Sequence, residues 1–111
     1  VVRLAVSALF AAGAAFHLIA VAIPIGTPSP PWRHCLFIAI NLTMAIGFAQ
    51  KARWLLPAAL VFAAQQGFSH GSDVARAARE GVWDIQGTGA LLFLPLVVGY
   101  AAHVWRDNRG K

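Results

Sequence analysis

The sequence predicts an all-α membrane protein, a bundle of four transmembrane helices, and three observations carry that prediction. Hydrophobic residues make up 59% of the 111-residue chain and charged residues only 12%, with a mean hydropathy of +0.65. Soluble domains carry about 25% charged residues, so this chain has too few to cover a water-facing surface. The apolar residues also fall into four stretches separated by short polar or proline-containing breaks, and all four tryptophans, Trp32, Trp54, Trp83 and Trp105, fall at span ends. Tryptophan prefers the membrane–water interface, where one edge of the ring is wet and the rest apolar.

The first span is expected over about residues 4–25, interrupted only by Ser7, Gly13, His17 and Pro24. At 1.5 Å per residue it crosses the roughly 30 Å of hydrocarbon in a bilayer. A cleaved signal peptide is the rival reading, but its basic region would hold only Arg3 and its apolar run is too long. Gly26-Thr27-Pro28-Ser29-Pro30-Pro31 then breaks the helix. The second span is expected over residues 34–50, ending at Lys51-Ala52-Arg53, and the third over residues 54–70 with Pro57 tolerated in its first turn. The fourth is expected over residues 85–105, with Pro95 as a kink. Between spans three and four, residues 71–84 read as a short interfacial helix capped by Ser72, with Asp73, Arg76 and Glu80 on one stripe. The chain is expected to be a single integral membrane domain.

The net charge of +5 does not point to nucleic acid, because the basic residues are scattered and form no stripe with interleaved aromatics. They set orientation instead. Arg3, Lys51, Arg53, Arg106, Arg109 and Lys111 lie on the side holding both termini, and Arg33, Arg76 and Arg79 on the other. The positive-inside rule then places both termini in the cytoplasm, as in a bacterial inner membrane, with the opposite end facing the periplasm. The single Cys35 excludes an intrachain disulfide.

Polar groups gather toward that outer end: His17, Asn41, Gln65, Gln66 and His70 inside the spans, with His34 and Asp84 at helix mouths. Polar side chains are costly in hydrocarbon, so such a cluster marks a candidate site. Gln66 and His70, four apart, share a face of span three, and His34 and Asn41, seven apart, share a face of span two. Gly13, four residues before His17, would leave open space beneath the imidazole. In an up-down bundle these faces converge, and each candidate below depends on that convergence.

One candidate is a transition-metal site with His17, His34 and His70 as ligands and Asp84 completing the shell, Gln66 and Asn41 orienting them. A haem held by His17 and His70 is a variant. Another is a pocket for a quinone-like amphipathic ligand, with His, Asn41, Gln65 and Gln66 donating to a carbonyl head above apolar walls. The alternative is a purely structural subunit of a larger membrane complex or a homo-oligomer, in which the same groups hydrogen-bond across helices. Proton-coupled transport through an acidic residue in the first span is disfavoured, since that span holds no carboxylate.

Arg3 followed by Phe10 and Gly13 resembles the opening of DoxX-like membrane proteins, and the length, four spans and basic inner connection agree. That resemblance implies a small helical subunit near quinone or redox chemistry, one branch of the family being similar to the small subunit of a thiosulfate:quinone oxidoreductase. The stretches from Arg33 to Asn41 and from Gln65 to Gly71 match no motif of that family, so no site residue is carried over.

Overall fold

A computed structural model describes residues 1–23 and 30–111. It contains four helices, α1 (Val2–Ala22), α2 (Pro31–Gln50), α3 (Leu55–Arg79) and α4 (Ile85–Arg109). Pro24 and Ile25, expected at the end of span one, and the break from Gly26 to Ser29 lie outside the described residues. The chain divides into two compact units, Val1–Ala52 and Arg53–Lys111, each a pair of packed helices. Three of the helices, α1, α2 and α4, are long and apolar enough to cross a membrane. Their outward side chains, among them Leu4, Leu9, Phe16, Leu18, Leu36, Leu42, Leu92 and Leu96, are exposed and compatible with lipid.

In the first unit the helices run antiparallel. Arg3 meets Ala49, Ser7 meets Ala45 and His17 meets His34, so α1 advances as α2 returns. On α1 the inward stripe is Arg3, Ser7, Phe10, Ala14 and His17, alternating steps of four and three along the helix. That rhythm keeps one face toward a partner helix. Phe10 and Ala14 are buried, and Phe10 stacks on Phe48 of α2 with ring centres 5.7 Å apart. Pro31 opens α2 in its first turn, where its missing N–H costs nothing. The helix stops where Lys51 turns left-handed at φ 52°, with the Ala52 N–H donating to the Gly47 carbonyl at 3.0 Å.

The second unit departs from expectation between spans three and four. The separate interfacial helix is absent, because α3 continues without interruption from Leu55 to Arg79. Gly71 costs a helix about 1 kcal/mol but does not end it, and the alanines and arginines that follow are strong helix formers. Ser72 therefore caps nothing; its hydroxyl donates back to the Phe68 carbonyl at 2.7 Å within the helix. The true stop is Gly81, left-handed at φ +72°, where the Val82 N–H reaches the Ala77 carbonyl at 2.9 Å. Glycine adopts that conformation freely, which is why it so often ends helices.

α4 is capped by Asp84 and runs from Ile85 through Pro95 to Arg109. Its buried face is Gly87, Leu94, Val97, Ala101 and Val104, again at heptad-like spacing. Against it α3 contributes Val74 near Gly87 and Gly67 near Leu94, which makes this pair antiparallel too.

Candidate functional site

The first unit brings two of the expected site residues into direct contact. His17 of α1 and His34 of α2 face each other with their Nδ1 atoms 3.0 Å apart. One ring donates its Nδ1–H and the other accepts at a bare Nδ1, so the two imidazoles hold opposite tautomers. The ring centres are 5.3 Å apart, 2.3 Å more than the nitrogens. That difference equals two centre-to-atom ring radii, so both nitrogens lie on the line joining the rings and the hydrogen bond is head-on. Such linear geometry is the strong one.

Aromatic groups flank the His17 ring. His17 stacks on Phe37 at 5.0 Å and 17°, and Phe16 meets its edge at 5.3 Å. His34 is only 5% exposed. The Arg33 guanidinium lies over the Phe37 ring, 5.8 Å from its centre.

Asn41 lies one step further along the α1–α2 contact. Its Nδ2 donates to the Phe37 carbonyl at 2.8 Å, and its Oδ1 sits 2.7 Å from where a side chain on Gly13 would begin. The space expected beneath His17 is thus taken by the Asn41 carboxamide. Gly13 is needed there for close approach of the two helices.

The other expected residues lie in the second unit. Gln66, 7% exposed, donates its Nε2–H to Oε1 of neighbouring Gln65 at 2.6 Å. One of its two amide hydrogens therefore serves Gln65. His70 sits half-buried one turn further along α3. Asp84 caps α4, its Oδ1 accepting from the Gly87 N–H at 2.8 Å. Within neither unit do three or more His, Cys, Asp or Glu side chains gather as a metal-holding group among the described residues.

Sequence reasoning missed two cross-helix contacts. Arg3 Nη1 donates to the Ala49 carbonyl at 2.6 Å, and the Ser7 hydroxyl donates to the Ala45 carbonyl at 2.8 Å. The signal was available, because Arg3 and Ser7 lie on the same 4-3-4-3 stripe as Phe10, Ala14 and His17. Among the described residues, no buried side-chain nitrogen or oxygen lacks a hydrogen-bond partner.

Compared with known proteins, the chain matches no family model, no curated sequence and no solved structure.

Proposed function

We propose that this chain is a small integral membrane subunit with four spans and both termini in the cytoplasm, carrying at its outer end a polar site that binds a quinone-like ligand and serves redox chemistry. The observation that carries this reading is the His17–His34 couple, a hydrogen-bonded imidazole pair set between two helices of membrane-spanning length. A carbonyl head needs a donor, and an imidazole N–H is one. With both Nδ1 atoms committed to each other, the ring that accepts there carries its proton on Nε2, directed away from the contact. With the head-on pair closed, a metal ion would find one imidazole ligand in the couple, the bare Nε2 of the donor ring. Asn41 holds the α1–α2 spacing, and the exposed Trp32 stands at the start of α2.

The test is binding of a short-chain quinone to the protein in lipid nanodiscs, read by tryptophan quenching, with metal content measured on the same sample. Saturable quenching that is lost in His34→Leu, with no stoichiometric metal, is the expected result. A stoichiometric metal lost in the same variant overturns the reading in favour of a metal site. Orientation is checked by Cys35, the one thiol, which is exposed at the start of α2. A membrane-impermeant maleimide added outside spheroplasts should label it.

A second reading has its own support. Pairing of every buried polar side-chain atom among the described residues is what a purely structural subunit of a larger complex requires. Failure of both quinone and metal to bind would favour it.

A further inference from the structure

The quinone reading treats the imidazole couple as a donor; its geometry says more. We infer that His17 and His34 form a one-proton relay, which accepts a proton at the Nε2 of one ring and releases another from the Nε2 of the second. This deepens the ligand reading by giving its site a proton path, but it stands on the couple's own geometry.

The step balances. In the resting couple the donor ring carries its proton on Nδ1 and has a bare Nε2, while the acceptor ring has a bare Nδ1 and a protonated Nε2. A proton arriving at the bare Nε2 turns the donor ring into an imidazolium. Its Nδ1 proton then crosses to the facing Nδ1, along a head-on line between nitrogens 3.0 Å apart. The acceptor ring, now the imidazolium, releases its Nε2 proton. One proton has entered, one has left, and no bond between heavy atoms has changed. The hydrogen bond survives with its direction reversed.

The reversal has a consequence. The second proton can enter only where the first one left, unless both rings flip. The rings are poorly placed to flip: His17 is stacked on Phe37 and edged by Phe16, and His34 is almost fully buried. The couple therefore passes one proton forward and is reset by one returning. It exchanges protons with a ligand that alternately takes and gives them, and it does not conduct a steady current. For a group within a membrane, that is the difference between a relay and a leak.

Nitrogen-15 NMR of the histidine-labelled protein in lipid tests this directly. Exchange along the couple predicts that both Nδ1 signals lie between the protonated and bare positions, or appear as two tautomeric sets, with a coupling across the hydrogen bond linking them. His34→Gln should abolish that coupling and leave His17 in a single tautomer. A wild-type spectrum with one Nδ1 always protonated and the other always bare overturns the relay. So does an absent coupling. The wild-type spectrum decides the matter even if a variant does not fold. Tautomer exchange without quinone binding would sink the ligand reading and leave the relay, and quinone binding to a static couple would do the opposite.

Discussion

The two helix pairs are held in different ways. In α1–α2, polar contacts run from helix to helix: Arg3 to the Ala49 carbonyl, Ser7 to the Ala45 carbonyl, His17 to His34. In α3–α4, the Gln65–Gln66, Ser72–Phe68, Asp73–Arg76, Asp84–Gly87 and His103–Asp107 contacts join residues one to four apart. The apolar stripe of Leu94, Val97, Ala101 and Val104 lies on α4, where helix packing needs shape and no partner chemistry. These contacts tie the first pair to the register between its helices, whereas those of the second pair described above are local and accompany an apolar fit. Chemistry that needs two residues held at a fixed distance belongs in the first kind of pair.

Glycine substitutions should separate the pairs most sharply. A Cβ at Gly13 would stand 2.7 Å from Asn41 Oδ1 and 3.2 Å from its Cγ, whereas one at Gly99 of α4 would meet nothing within 4 Å. Gly13→Val should cost about 2–3 kcal/mol, the usual penalty of overpacking at a close contact. It should also open the couple, since Asn41 cannot retreat without losing the Phe37 carbonyl. Gly99→Ala should be neutral or gain up to about 1 kcal/mol from helix propensity. Unfolding by SDS titration from mixed micelles measures both. Equal losses at the two glycines would end the distinction.

The couple itself supplies the next test. His34→Leu removes one partner and leaves the His17 Nδ1 in apolar surroundings, at a cost of about 1–3 kcal/mol. Replacing both histidines by leucine removes the orphan along with the bond, so the double variant should be more stable than the sum of the singles predicts. The two residues touch, and touching residues couple. Gln65→Leu in the second pair should cost less, because the contact it removes joins neighbouring residues of one helix and ties no two helices together. Strict additivity of the two histidine substitutions would mean that the 3.0 Å contact contributes nothing to holding the helices.

The same contrast explains what could be read from the sequence. Helices with apolar length announce themselves, and α1, α2 and α4 were legible for that reason. Local polar partners are legible too: Asp84 before an apolar run reads as a helix start because its carboxylate serves an N–H three residues on. The contact of His17 with His34 depends on the register of two helices, which no local spacing fixes. Both residues were recognisable as candidates, but their pairing through Nδ1 was not. The end of α3 was misplaced because Gly71 and Ser72 resemble a boundary, while the deciding feature lies ten residues later in the left-handed Gly81. Glycine marks a stop only where the backbone must turn left-handed, and Gly71 has no such demand.

The smallest predicted effects lie in the second pair and test whether its charges are as local as they look. Asp73 and Arg76 form an ion pair at 2.7 Å, but their side chains are 42% and 65% exposed, so water screens the attraction. Asp73→Ala should change stability by less than about 0.5 kcal/mol. Asp84→Ala removes a carboxylate of the same kind from a helix start, where it satisfies an N–H that has no other partner within the helix, and should cost about 1 kcal/mol. Gly87 makes the cap possible, because the Asp84 carboxylate occupies the space where a Cβ would stand. Gly87→Ala should therefore reproduce the loss at Asp84 and add little to it in the double variant. If Asp73→Ala proved the costlier change, the charges after Phe68 would be holding something beyond their own helix.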